Sequence, residues 1–237
     1  MAGDGAPDFH THSAFIHVAF TRGPPRLLYS PPMGFYAKYL FPHLMDWTMG
    51  ARKFQEQRGE ALKPLHGEVL EIGFGTGLNL PHYPPTVAKV VALEPACLLP
   101  TTVARRMAAA PILVELVRAS AERLPFEDHH FDCVVSTWTL CTIPDVAAAL
   151  REVRRVLKPG GHYVFLEHGR SDSPRIAKWQ DRLNPLQQRI GVGCNMNRAI
   201  DRLIAEAGLR LPHLDRFVMP GIPRLVGEMY RGTALPH

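Results

Sequence analysis

Between Val69 and Leu166 the chain repeatedly switches between short β-branched runs and stretches with helical spacing, and no other feature narrows its possible folds as much. The runs are Val69–Ile72, Lys89–Leu93, Ile112–Val117, Asp132–Val135 and His162–Leu166. Most of their residues are apolar without polar alternation, the pattern of strands buried on both faces. Between the last two, Val146, Leu150, Val153 and Leu157 fall on one helical face, Asp145 stands where a cap is needed, and Pro159-Gly160-Gly161 marks a stop. That is a crossover between parallel strands. Because such crossovers are right-handed, the alternation implies an α/β, doubly wound sheet with helices on both faces. Arg210–Met219 and Arg224–Arg231 are expected to close it as an antiparallel hairpin, giving seven strands of which one is antiparallel. Ligands of such sheets bind outside the carboxyl ends of the strands, where the strand order reverses.

The remaining segments frame this core. Residues 1–33 are rich in Gly, Pro, His and Ser and are expected to form a mobile leader. Its apolar run, Ala14–Phe20, is broken by His17 and is too short for a signal peptide, while Asp4 and Asp8 argue against a mitochondrial transit sequence. His10 and His12 could share a metal, but no third ligand is near them in sequence. Residues 34–66 are expected to form a helical cap, with a helix over Leu44–Leu62, and 67–237 the main domain. Two helices are predicted after Arg170. Arg175–Ile190 is broken near Asn184 by Pro185, and Asn195–Ala207 is closed by Gly208.

Charge and cysteines exclude several classes. The net charge of +5 is too small to mark a nucleic-acid protein by itself. Nine Arg or Lys against five acids between Arg170 and Arg216 nevertheless leave the last third basic. In Arg175–Ile190 a stripe of Ile176, Trp179, Leu183 and Ile190 lies beside Arg175, Lys178, Arg182 and Arg189, a pattern suited to capping the domain or resting on an anionic membrane surface. No apolar stretch reaches the roughly 18 residues of a bilayer span. A cytoplasmic protein, with peripheral membrane contact as an option, is the expectation. Cys97, Cys133, Cys141 and Cys194 are far apart and unpaired in spacing, which implies free thiols and no metal site.

The chemistry concentrates in Glu71-Ile-Gly73-Phe-Gly75-Thr-Gly77, directly after the first run. Glycines let the backbone turn tightly and approach a ligand, and free N–H groups there favour an anion. A dinucleotide fingerprint would need glycine at 78, where Leu78 stands, so a nicotinamide cofactor is disfavoured. Glu94, with Pro95 after it, ends the second run where a carboxylate can accept both hydroxyls of a ribose. Loop and acid together point to an adenosine-type ligand.

At these positions the chain resembles the class I S-adenosylmethionine-dependent methyltransferases, in particular the ubiquinone/menaquinone-biosynthesis-like branch. Glu71 to Gly77 looks like the family's first motif, and Glu94 like its ribose acid. Ala121-Glu-Arg-Leu-Pro-Phe126 with Phe131-Asp132 looks like its adenine-side motif, and Leu157-Lys-Pro-Gly-Gly161 like its late motif. The resemblance spans roughly Gly67–Gly208 and implies a Rossmann-like fold with S-adenosyl-L-methionine as cofactor. It also implies that Gly73, Gly75 and Gly77 line the methionine part, and that Ala121 and Leu124 face the adenine. Thr137, Trp138 and Thr139 would close the cofactor from the fourth strand. Many relatives carry an acid before the Ala-Glu pair; here it is Ser120, which leaves Ser120 or Glu122 to meet the adenine amino group. A narrower likeness, to the methyltransferase-like alkyl-thiol methyltransferases, rests on Phe165-Leu-Glu-His168, Trp138-Thr-Leu-Cys141, and Gly193-Cys-Asn195 with Arg198.

The reaction expected is methyl transfer to a small apolar acceptor, a thiol or a quinone-type molecule. His168, ending the fifth run, is the candidate base, because its ordinary pKa lies near neutrality. Tyr36 and Tyr39 are expected to cover the methyl-bearing end, and Cys141, Cys194 and Asn195 to line the acceptor pocket. Two other readings stay open: an RNA or protein methyltransferase using the basic third, and a non-catalytic module binding a partner or membrane.

Overall fold

The computed structural model describes residues 34–237 and the backbone of 18–19; most of the expected leader, with His10 and His12, lies outside the described residues. The strands are β1 (Val18–Ala19), β2 (Gly67–Ile72), β3 (Val87–Leu93), β4 (Leu113–Val117), β5 (Phe131–Thr137), β6 (Leu157–His168), β7 (Leu209–Val218) and β8 (Glu228–Pro236). The helices are α1 (Phe41–Met49), α2 (Arg52–Leu62), α3 (Pro100–Ala109), α4 (Val146–Val156), α5 (Pro174–Ile190), α6 (Ile200–Glu206) and α7 (Arg224–Gly227). In the sheet the order is β1-β4-β3-β2-β5-β6-β8-β7. Two-residue β1 extends the β4 edge of the seven strands expected. Pairing is parallel from β4 to β6, and only β8 runs antiparallel, against both β6 and β7.

Alternate residues of each central strand enter opposite cores. Leu70, Ile72, Val91, Leu93, Val134, Tyr163 and Phe165 pack with Leu150 and Val153 of α4 and Ile200 and Ile204 of α6. Their neighbours Val69, Val90, Ala92, Cys133, Val135 and Val164 pack with Phe54 and Leu62 of α2 and Val103 of α3. Strands covered by helices on both sides need apolar residues on both, which is why their sequence lacks alternation. From β2 the order runs to β3 and β4 on one side and to β5 on the other, so the reversal falls between β2 and β5.

Several local expectations are corrected. The helix expected over Leu44–Leu62 is two helices, because Ala51 is extended (φ −63°, ψ 146°) after Gly50; a turn of π-helix, Tyr36–Leu40, leads into the first. Helix α5 continues through Pro185 instead of breaking near Asn184. Proline removes one helical hydrogen bond and crowds the carbonyl four residues back, and here packing tolerates both: Asn184 is buried and binds Met196 N and Asn195 Oδ1. The stretch expected as a strand from Arg224 opens as α7, whose first turn is set by Pro223 and closed by Gly227 N donating to Pro223 O, and becomes strand only at Glu228.

Candidate active site

Gly73, Gly75 and Gly77 all have positive φ (73°, 59° and 82°), so the loop after β2 takes a path that L side chains resist. At Gly73 space forbids a side chain as well. A Cβ there would overlap Thr139 Cγ2 and Oγ1 and lie 2.8 Å from Thr139 Cβ. Gly75 N donates to Glu94 Oε2 at 2.8 Å, and Glu94 Oε1 accepts from Ala96 N at 3.0 Å. The carboxylate at the end of β3 therefore ties the glycine loop to its own turn. Burial raises its pKa, opposed by those two amides.

A cleft over the carboxyl ends of β2 and β3 is lined by Gly73, Glu94, Pro95, Ser120, Ala121 and Thr139. Sequence reasoning missed Thr142, Ile143 and Pro144, which complete its far wall from the loop after β5. No local motif marks them; they reach the cleft only because that loop folds back. Of the two residues considered for the adenine amino group, Ser120 lies on the cleft. Glu122 instead accepts from Asp145 N at 2.7 Å and from Ser120 Oγ at 3.0 Å, pinning the start of α4. Leu124 is 4% exposed within the core on the α4 side and is not on the cleft wall.

A second cleft shares Gly73 and Thr139 and adds Met45, Asp46, Met49, Arg58, Thr76, Thr137 and Trp138. Its roof is α1, held down by Asp46: Arg106 Nη1 and Thr76 Oγ1 each donate to Asp46 Oδ1 at 2.5 Å. Arg58 was not anticipated, since an arginine within an exposed-looking helical segment has no motif. It is 5% exposed, and its Nη1 donates to Asn79 Oδ1 (2.7 Å) and Thr137 Oγ1 (2.8 Å). Its Nε has no hydrogen-bond partner, a vacancy that costs energy unless a ligand fills it. Burial lowers its pKa to about 10, with Glu71 opposing. Glu71, expected against the cofactor, faces inward beneath the loop, where it accepts from Asn79 Nδ2 (2.7 Å) and Tyr83 Oη (2.6 Å). Complete burial raises its pKa to about 7. Trp138, at φ 51°, packs edge-on to Phe54 and beneath the Arg58 guanidinium, 4.8 Å from the ring centre.

The residues expected around the acceptor divide. Cys141, His168 and Cys194 come together, with His168 Nε2 3.2 Å from Cys194 Sγ. Asn195 N and Nδ2 both donate to Cys141 O at 2.9 Å. His168 thus meets a sulfur and is on the wall of neither cleft. Burial pushes its pKa down, but Cys194 and Glu167 outweigh this and the net shift is upward. The Cys194 thiol is lowered, first by the neighbouring Cys141 thiol and then by His168, and Cys141 is raised in turn. Tyr36 and Tyr39 are exposed and line neither cleft; Tyr36 Oη donates to Ile190 O at 3.1 Å, joining the cap to α5. The basic last third is partly neutralised: Arg170 pairs with Asp181, Arg224 with Glu228 and Arg231 with Asp215.

Residues 70–165 match the methyltransferase domain family. Over 176 residues the chain is 33% identical to thiol S-methyltransferase TMT1B of Rattus norvegicus, covering 68% of this chain and 71% of that protein. The chain belongs to the class I S-adenosylmethionine-dependent methyltransferases. It is 44% identical to the ubiquinone/menaquinone biosynthesis C-methyltransferase UbiE of Hahella chejuensis, but over only 68 residues, 29% of this chain and 27% of that one. Among solved structures, geranyl diphosphate methyltransferase in complex with GPP and sinefungin superposes with a TM-score of 0.60 at 17% identity, covering 76% of this methyltransferase and 75% of that chain, a likeness of fold.

The S-adenosylmethionine donor that membership of this family implies has candidate partners in the two clefts of the methyltransferase. Glu94 lines one of two clefts that share Gly73 and Thr139, Arg58, whose buried Nε has no hydrogen-bond partner, lines the other, and at their common wall Gly73 leaves no room for a side chain beside Thr139. Among the described residues no helix is long and apolar enough to cross a membrane.

Proposed function

We propose that this methyltransferase methylates the sulfur of a small lipophilic thiol. The observation that carries the reading is the reach of the likeness to TMT1B. Its 176 residues extend well beyond the 70–165 domain, whereas the likeness to UbiE covers 68 residues. In this reading Glu94 accepts the ribose hydroxyls, Ser120 and the backbone at Ala121 meet the adenine, and the amino-acid end lies along the loop of Gly73, Gly75 and Gly77 on the side of Arg58. S-adenosylmethionine supplies the methyl group on a sulfonium sulfur.

The protein's own contribution is alignment and exclusion of water. Thr139, shared by both clefts, and Trp138 form the wall between cofactor and acceptor, while Met45 and Met49 of α1 roof it with apolar surface. A thiol of ordinary pKa, about 8.5, is ionised to a few per cent at neutral pH and is strongly nucleophilic, so it needs little help from a base. This accords with a His168 that is engaged by Cys194. Phe35, Tyr39, Leu40 and Trp47, all exposed on the cap, offer an apolar approach for a lipophilic acceptor or a membrane surface.

The test is transfer of labelled methyl groups to a panel of alkyl thiols of increasing chain length and of quinols. Transfer to thiols, improving with chain length, is expected. Transfer confined to quinols, or to no member of the panel, would remove the thiol reading.

A further inference from the structure

Cys141, His168 and Cys194 are separated by 27 and 26 positions in sequence, yet their ligand atoms all lie within 4.8 Å of one another. We propose that these three side chains form a zinc(II) site of two thiolates and one imidazole, with the fourth tetrahedral position left to water or an outside ligand. The donor set is the first reason. Two cysteine sulfurs and a histidine nitrogen suit zinc and are poor ligands for magnesium or calcium.

The dimensions are the second. Zinc–sulfur bonds of about 2.3 Å and a zinc–nitrogen bond of about 2.0 Å at tetrahedral angles put sulfur about 3.5 Å from nitrogen. Cys194 Sγ and His168 Nε2 are 3.2 Å apart, so this pair needs only a small outward adjustment, and Cys141 Sγ lies within 4.8 Å of both.

The third is that three separate elements are fastened together around the cluster. His168 is the last residue of β6. Cys141 lies in the loop after β5, which Glu167 anchors by accepting from Thr139 N at 2.9 Å and Leu140 N at 3.1 Å. Cys194 follows α5 on a turn formed by Val192 (φ 48°) and Gly193 (φ 91°). That turn is bound to the Cys141 carbonyl through Asn195 and held at the Cys194 sulfur by Gln187 Nε2, 3.5 Å away. Arg198 adds a further tie by donating to Leu140 O. Cys141 and His168 are 3% and 8% exposed, and Cys194 is half-buried, so a fourth ligand would enter from the Cys194 side. Binding would release the thiol protons to solvent and form two zinc–sulfur bonds and one zinc–nitrogen bond, with no change of oxidation state.

A second group, His66, Cys133 and His162, also has its ligand atoms within 4.8 Å of one another, near the amino ends of β2 and β5. It offers one sulfur, and that sulfur is fully buried beneath an exposed histidine. It serves as an internal control.

The reduced full-length chain, loaded with zinc and dialysed, is expected to retain about one zinc per chain by elemental analysis. Cys141→Ser/Cys194→Ser is expected to retain almost none, and His66→Ala to retain the wild-type amount. Cobalt(II) added to wild-type protein is expected to give the intense visible bands of a tetrahedral site and the near-ultraviolet absorption of thiolate ligation. This reading needs no variant and so does not depend on the double variant folding. The site is overturned by a wild-type chain that takes up neither zinc nor cobalt under reducing conditions, or by zinc lost in His66→Ala and kept in the double variant. A Cys141–Cys194 disulfide in the freshly isolated protein that reduction does not make zinc-competent also overturns it. None of these readings requires methyl transfer, so the site stands or falls separately from the thiol acceptor.

Discussion

Gly73→Ala tests the centre of the site. A non-glycine residue held at φ 73° costs about 1–2 kcal/mol. The new methyl group would also overlap Thr139 Cγ2 and Oγ1. Overpacking of that kind costs about 1–3 kcal/mol, because Thr139 cannot withdraw without moving the loop after β5. The total, about 2–5 kcal/mol, corresponds to a fall in melting temperature of roughly 5–15 °C for a chain this size. Since Gly73 borders both clefts, calorimetry should also show at least about tenfold weaker binding of S-adenosylmethionine and its demethylated product, a loss of about 1.4 kcal/mol or more. Thr139→Ala removes the two closest atoms and leaves Cβ at 2.8 Å. Combined with Gly73→Ala it should recover part of the loss, with a coupling energy of about 1 kcal/mol or more in a double-mutant cycle. A melting temperature within a degree of wild type with unchanged affinity would refute the packing argument. A cycle without coupling would show that Thr139 is not what excludes a side chain at position 73.

Other consequences follow from the same geometry. Glu94→Ala removes the acceptor for Gly75 N and Ala96 N as well as the expected ribose contact, so binding of the demethylated cofactor should weaken by at least about tenfold in calorimetry; charged hydrogen bonds are worth about 1.5–3 kcal/mol each. Arg58→Met should weaken S-adenosylmethionine binding while leaving adenosine binding within about twofold, and equal losses for both would deny Arg58 the amino-acid end. Glu71 and Glu167 each have a folded-state pKa near 7 against an ordinary 4.5, both because of burial. The folded state therefore binds protons more tightly than the unfolded one between those values. Stability from these groups is present below about pH 4.5 and is lost as the pH rises towards 7, with a slope of up to about 1.4 kcal/mol per pH unit for each group. Urea midpoints measured across that window should fall in wild type and fall less in Glu71→Gln. Equal slopes would remove Glu71 as a source.

The alternation of strands and helices, the glycine loop and the acid after β3 were legible because each depends on neighbours in sequence. Positive φ at Gly73, Gly75 and Gly77 is a demand on single residues, and glycine meets it openly. Glu94 is recognisable because a strand end fixes its position relative to that loop. The places of Leu124, in the core, and of Glu122, as against Ser120, were not legible for the opposite reason. A leucine in a loop and an acid beside a serine look the same whether they face a ligand, a core or the start of a helix, and only the placement of α4 decides. Pro185 predicts a break by its local cost, which Asn184 and its partners after α5 absorb through contacts the segment itself does not contain.

By itself, then, the sequence determined a mainly parallel α/β sheet with a glycine loop after β2 and an acid after β3, because apolar periodicity and glycine placement act over a few residues. Tertiary structure decided which side chains share a space. Arg58 comes from a helix ahead of the sheet to reach Thr137, and Cys141, His168 and Cys194 converge from three elements. Such meetings depend on how strands are ordered and helices are seated over them, and spacing along the chain carries no record of either.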